Sequence, residues 1–364
     1  MASVAPRDQR STYLATAQAT RRDRRVALAI AAGSFVLFAA TVPFARMPLV
    51  QLPVFIPSYE AALFFIDLIT AIFLFDEFSR LRSLGILALA AGYLFDALII
   101  VPHALSFPGA FSPTGLLGAK AQTTAWLYVF WHGGFPLFVI GYAVLRRIEE
   151  NRPSLPPPAA VIGAVVAVVA ALVVALTLAA TWGHDRLPVV MQGSDYSLLV
   201  RKGISPAVWA VTLAAAAVLW RGKHRVMDLW LMLVMWSWLL DIALAAVIGS
   251  SRYDLGFYAG RVFGLVAASF LLVTLLIEMA RLHEEAVSAA ASAEARLAQL
   301  SRRRDRSDAA VPRSARSDTF VHRQNIAHYR ALLESSTLDA SQRQSIQRLL
   351  DEEETKFRSG QSDG

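Results

Sequence analysis

Cysteine is absent from the 364 residues. Disulfides, thiolate nucleophiles and cysteine-ligated zinc or iron–sulfur centres are thereby excluded. Catalytic signatures are missing as well: the chain holds no HExxH zinc motif and no GxSxG nucleophile elbow. Acidic residues are in the minority, with Asp+Glu 28 against Lys+Arg 35 and a net charge of +7. A basic balance admits nucleic acid as a partner, but the placement of the arginines decides against it.

What is present is apolar. The chain is 55% hydrophobic with a mean hydropathy of +0.46, and the apolar residues are gathered in runs. A bilayer-spanning helix needs about 20 mostly apolar residues. Such runs occur near Val26–Ala45, Ala61–Phe78, Ser83–Leu105, Gln122–Leu145, Ala159–Thr181, Ile204–Trp220, Val226–Ile248 and Leu255–Met279. The expected fold is all-α, a polytopic membrane protein with about eight transmembrane helices. The first run is long enough to span and follows Arg7, Arg10, Arg21, Arg22, Arg24 and Arg25. It reads as an uncleaved first span rather than a signal peptide.

Arginines mark alternate connections: the segment before the first run, Arg80 and Arg82, then Arg146, Arg147 and Arg152, then Arg221, Lys223 and Arg225. The positive-inside rule assigns these to the cytoplasm, and both termini with them. The connection with Arg186, Arg201 and Lys202 is basic for an outer loop. The outer loop Ser106–Ala121, with Pro108, Gly109, Pro113, Gly115 and Gly118, reads as turn-rich.

Beyond the last span, Met279, Leu282, Ala286, Ala289 and Ala293 step by three and four, and Leu297 and Leu300 continue after a stutter. This is a weak coiled-coil seam, and a homodimer is one expectation from it. The predicted organisation is a basic N-terminal segment over 1–25, a membrane domain over 26–281, a cytoplasmic signalling helix over 282–305, a basic disordered linker over 306–319 and a helical hairpin over 320–360. In the hairpin, Ile326, Tyr329, Leu332 and Leu333 mark one helix face. Ser335–Thr337 breaks that helix, and Asp339 with Gln342 opens the second as an N-cap pair. About 40 residues leave no room for a catalytic domain, and so small a unit is expected to dock on a partner or dimerise.

Ionisable residues inside spans are costly and usually functional. Asp67, Asp96, His132, Asp241 and Arg261 are the candidates. At about 1.5 Å per residue they fall in the outer half of the bilayer. One expectation is an Asp241–Arg261 ion pair tying the last two spans together; the others are then protonated, hydrogen-bonded to neighbouring helices, or lining an outward-facing polar cavity. His103 and His132 stand in no metal-binding spacing, and no metal or cofactor is expected. Gly133, Gly134 and Pro136 mark either a hinge or a static kink in the fourth span.

Several blocks together resemble a known family. Gly92-Tyr93-Leu94, Pro102-His103-Ala104-Leu105-Ser106-Phe107-Pro108-Gly109, Gln122-Thr123 with Trp126, Trp131-His132 and Phe135-Pro136 occur in the early part. Trp238-Leu239-Leu240-Asp241, Arg252-Tyr253 and Gly256-Phe257-Tyr258 with Gly260-Arg261 follow in the later part. In this order they resemble the fourth class of the bacterial membrane-associated sensor (MASE) domains, over Val26 to Arg281. The resemblance implies a sensory membrane domain of the kind usually joined to a cytoplasmic diguanylate cyclase (GGDEF) or histidine kinase unit. It supplies no ligand. Neither output unit is recognisable in these residues.

The expected function is therefore sensory and non-enzymatic. A ligand or membrane stimulus acts on the polar cluster, and the last helix, through Met279, Leu282, Leu297 and Leu300, passes the change to a cytoplasmic signalling partner. The alternative is a small-solute or proton-linked transporter using Asp67, Asp96 and His132 as a relay. The repeat between halves that would support transport is not evident in the sequence.

Overall fold

The computed structural model describes residues 18–52, 54–148, 156–221, 225–249, 251–310, 313–334 and 339–362. Every apolar run is helical: α1 (Arg21–Thr41), α2 (Phe55–Leu81), α3 (Leu84–Ser106), α4 (Thr123–Ile148), α5 (Pro158–Thr181), the short α6 (Ser197–Arg201), α7 (Ile204–Trp220), α8 (Val226–Ile242) and α9 (Leu255–Ala310). Two further helices follow, α10 (Arg313–Glu334) and α11 (Ala340–Ser362). Among the described residues the only β-type pairing is a few isolated bridges. The fold is all-α, and the chain divides into two compact units, Met1–Leu282 and His283–Gly364.

Six helices among the described residues are long and apolar enough to cross a membrane: α1, α3, α4, α5, α8 with the turn that follows it, and α9. α7 is shorter, at 17 residues. α2 has the length, 27 residues, but carries Glu60, Asp67, Asp76, Glu77 and Arg80. Burial sorts the helices. α3 is 78% buried over its apolar stretch, whereas α1 and α5 are 6% and 11% buried. α1 and α5 are thus apolar all round and uncovered by protein, which only hydrocarbon makes favourable. The chain is a multi-pass membrane protein with α3 at its centre.

Local chemistry sets the helix ends. Thr20 and Asp23 form a reciprocal capping box at α1. Ser83 Oγ accepts from the Ile86 amide to start α3. Between them Arg82 adopts a left-handed conformation at φ 55°, which makes the α2–α3 turn tight. α4 runs unbroken through Gly133, Gly134 and Pro136, and Gly134 stands at a close helix contact. A Cβ on Gly134 would lie 2.6 Å from the Phe95 ring, and one on Gly92 would lie 2.7 Å from Phe138 Cβ. The two glycines let α3 and α4 interlock.

The basic connections gather at one end of the bundle. Arg82 donates to the Pro156 carbonyl, Arg147 to the Val218 carbonyl at 2.8 Å, and Arg146 pairs with Asp228. Tyr142 also donates to Asp228, at 2.8 Å, while the other carboxylate oxygen caps α8 through the Arg225 amide at 3.0 Å. At the opposite end the connections are woven together. Leu49 donates to the Tyr253 carbonyl and Arg252 to the Ser194 carbonyl through their amides. Gln122, at the head of α4, clamps the loop after α5: its Oε1 accepts from the Val190 and Met191 amides at 2.7 Å each, and its Nε2 donates to Met191 O at 2.9 Å.

In the second unit, Asp339 and Gln342 form the expected reciprocal cap of α11. Ser335–Thr337 lies outside the described residues. Arg330–Glu354 and His322–Glu353 join α10 to α11, and Leu350 is its one large apolar side chain in the fully buried class. Helix occupies residues up to Ala310 and again from Arg313, where a disordered linker over 306–319 is expected from composition. That stretch has no helix breaker other than Pro312, which lies outside the described residues; Arg, Ala and Ser are compatible with helix.

Asp228 is fully buried and paired with Arg146. Asp228→Ala removes one partner of a buried pair and is expected to cost about 3–5 kcal/mol. The check is thermal unfolding in detergent against wild type.

Candidate functional site

All five intramembrane candidates are buried: Asp67 at 3%, Asp96 at 1%, His132 at 3%, Asp241 at 2% and Arg261 at 8% exposure. They fall into two groups. Asp67 on α2 and Asp96 on α3 lie within each other's electrostatic reach, with the Trp131 indole beside Asp96. Neither carboxyl has an ion pair among the described residues, and Asp96 Oδ1 has no hydrogen-bond partner.

The second group is His132, Asp241 and Arg261. The expected Asp241–Arg261 ion pair does not form. Asp241 Oδ2 lies 3.3 Å from His132 Nε2 instead. His132 Nδ1–H donates to the Tyr128 carbonyl at 3.1 Å. A carbonyl only accepts, so the contact to Asp241 requires one further proton, held by the imidazole or by the acid. The pair is therefore a proton-holding element at a helix–helix contact. The imidazole is fixed by aromatic rings, with Tyr128 stacked at 3.8 Å and Trp238 at 5.1 Å between centroids.

Arg261 takes aromatic partners in place of the carboxylate. Its guanidinium lies 4.0 Å from the Phe257 ring centroid and 5.5 Å from that of Tyr128. Its Nη1 donates to the Phe257 carbonyl at 3.4 Å. The helix rotation explains the mismatch. Asp241 points at glycines of α9: a Cβ on Gly260 would lie 2.6 Å from Asp241 Oδ1, and one on Gly264 would lie 3.3 Å from Oδ2. The carboxylate seats against α9 at these two glycines, with the Tyr59 hydroxyl and Ala245 Cβ beside it. Directly after it, Ala243–Ile248 winds as a π-helix, a local widening often seen beside functional groups.

Sequence reasoning missed two residues. Glu60 Oε1 bonds His103 Nδ1 at 2.7 Å, with both side chains at most 3% exposed. Glu60 stands one residue before the apolar run of the second span. The level of His103 near the end of α3 was the signal that could have found it, since α2 and α3 are antiparallel neighbours. Arg252, in the connection before α9, is the other. It covers the Phe107 ring at 4.7 Å and donates to Met191 Sδ at 3.4 Å. Burial, with the neighbouring Arg261 charge, pushes its guanidinium down to about 10.

A cavity of about 40 Å³ opens among these groups, bordered by His103, Thr124, Tyr128, Tyr196, Arg252 and Arg261. The described residues contain no cluster of three or more His, Asp or Glu able to hold a metal ion. Of the signalling-helix residues, Met279, Leu297 and Leu300 are 44%, 67% and 61% exposed, while Leu282 lies within α9.

The fold and the site define a helical, multi-pass membrane domain with ionisable groups buried between its helices. The MASE4 family model, a membrane-associated sensor, integral membrane domain, matches residues 50–283, and the chain belongs to that family. No curated protein and no solved structure matches the chain.

The seating of Asp241 gives a direct test. Gly260→Ala places a methyl against Asp241 Oδ1 and, at 2.8 Å, against Ala245 Cβ, and is expected to destabilise by about 1–3 kcal/mol. Gly33→Ala, with nothing within 4 Å, should leave the unfolding temperature unchanged or slightly raised. Both are read by thermal unfolding in detergent.

Proposed function

We propose that the chain is a membrane-embedded signal-input protein with no catalytic role of its own. The polar groups between α3, α4, α8 and α9 set the state of α9, and α9 carries that state past Leu282 to a cytoplasmic partner at α10–α11. The observation that carries this reading is the placement of Asp241, which sits against α9 at Gly260 and Gly264 while bonded to His132 of α4. A change in the proton or contacts of that pair acts directly on the helix that leaves the membrane domain. Coupling of this kind needs a two-state element that the stimulus biases, and the α8–α9 contact is the candidate. The family supports an input role, and the exposed Met279, Leu297 and Leu300 suit a partner or a second copy of the chain.

In this reading the basic end faces the cytoplasm of a bacterial inner membrane. The absence of cysteine makes single-cysteine probes free of background. Ser194→Cys is expected to react with an impermeant maleimide in intact spheroplasts, and Ser301→Cys only after permeabilisation; the reverse pattern overturns the orientation.

The output is tested by co-purification in mild detergent, the full chain against one ending at Arg304. A cyclase or kinase that is recovered with the full chain alone, and whose activity shifts with Asp241→Asn, supports the reading. A bound enzyme indifferent to both changes overturns it. The buried Asp67–Asp96 neighbours favour the transporter alternative to the extent that they hold a proton inside the bilayer; proton flux in proteoliposomes that Asp96→Asn abolishes would select it.

A further inference from the structure

The cavity at the woven end has an unusual charge balance. Two guanidiniums border it, and no carboxylate does. Neither Arg252 nor Arg261 has an ion pair among the described residues. Each guanidinium offers five donors, and each spends one: Arg252 on Met191 Sδ, a weak acceptor, and Arg261 on a carbonyl 3.4 Å away. Among the described residues, the nearby carboxylates form no ion pair with either guanidinium. Asp241 Oδ2 bonds His132 and Glu60 Oε1 bonds His103, each leaving its second oxygen without a partner, and Asp254 accepts from the Phe257 and Ser251 amides.

Two hydroxyls add to this. Tyr196 is only 6% exposed, and its hydroxyl is buried with no hydrogen-bond partner; the same holds for the hydroxyl of Tyr128. Both residues border the cavity. A buried polar group without a partner costs free energy, about 1–3 kcal/mol. Uncompensated cations at the edge of a bilayer cost more. One ligand class answers all of these groups at once: an anion with oxygen atoms that accept from two guanidinium forks and two phenols.

We propose that this cavity is a binding site for a small planar oxyanion, a monocarboxylate or nitrate-sized anion, held by Arg252, Arg261, Tyr128 and Tyr196. Size sets the upper limit. A water needs about 10–15 Å³ of such space, so 40 Å³ admits about three or four heavy atoms. Formate, nitrate, acetate and bicarbonate fit, and a benzoate ring does not. The lid is the loop that Gln122 clamps, since Met191 and Tyr196 both border the cavity. An anion here would pull α9, through Arg261, toward the loop and away from Asp241. Naming this anion as the stimulus rests on the sensor reading; the binding itself does not.

The experiment uses the full chain in nanodiscs at constant ionic strength, with chloride as the reference salt. Formate, acetate and nitrate are each titrated by thermal shift and calorimetry, and benzoate serves as the size control. The expected result is a saturable rise in unfolding temperature with at least one small oxyanion and none with benzoate. Arg252→Gln lies in a connection rather than a span, and should weaken binding by about tenfold or more. Tyr196→Phe, which only removes an unpartnered hydroxyl, should weaken it by about threefold or more while leaving the anion-free protein as stable as wild type. No saturable response to any small oxyanion overturns the site, as does binding that Arg252→Gln and Tyr196→Phe leave unchanged. Binding that meets these criteria, but leaves the activity of a co-purified partner untouched, keeps the site and overturns its role as input.

Discussion

Hydrocarbon accepts and donates no hydrogen bonds, so each polar side chain that these helices turn inward must be answered by another helix. The His132–Asp241 contact is where this constraint bears hardest. It joins α4 to α8, seats a carboxylate against the glycines of α9, and leaves Arg261 to find aromatic rings. The packing around it follows. Tyr128 and Trp238 hold the imidazole, Gly260 and Gly264 give α9 its close approach, and the π-helix after Asp241 takes up the local misfit. Beside it lies the cavity bordered by Arg252 and Arg261, where the Tyr128 and Tyr196 hydroxyls have no hydrogen-bond partner.

The two ends of the bundle are built differently. At the basic end, both oxygens of Asp228 are engaged, one by Arg146 and Tyr142 and the other by the Arg225 amide, an arrangement suited to holding α4 and α8 in register. At the woven end, donors outnumber acceptors, and the loops that cover the cavity are tied through the amide of one glutamine.

The helices were legible because runs of about 20 apolar residues have few other uses. The arginine pattern was legible for a similar reason, and it sorted the connections correctly into two ends. The intramembrane polar residues were legible as candidates, since each stands out in an apolar run. Their partners were not. Asp241 and Arg261 share a depth, but depth leaves helix rotation open, and rotation sends Asp241 to His132. Glu60 escaped notice because it sits just outside an apolar run, and Arg252 because a basic residue in a connection reads as a solvated one. Gly133, Gly134 and Pro136 read as a hinge or a static kink, and the close approach of the Phe95 ring at Gly134 was not legible.

The sequence by itself determined that this chain is an all-helical membrane protein with basic residues on alternate connections, and that a capped hairpin, opened by Asp339 and Gln342, follows. Composition and spacing suffice for these because they depend on transfer from water to lipid and on neighbours three or four residues apart. Which polar groups pair, which are left facing a cavity, and that the carboxylate of Asp241 lies against α9 were decided only by tertiary structure. Those outcomes depend on the rotation and close approach of helices distant in the chain, set by the volumes of glycines and rings packed many residues away.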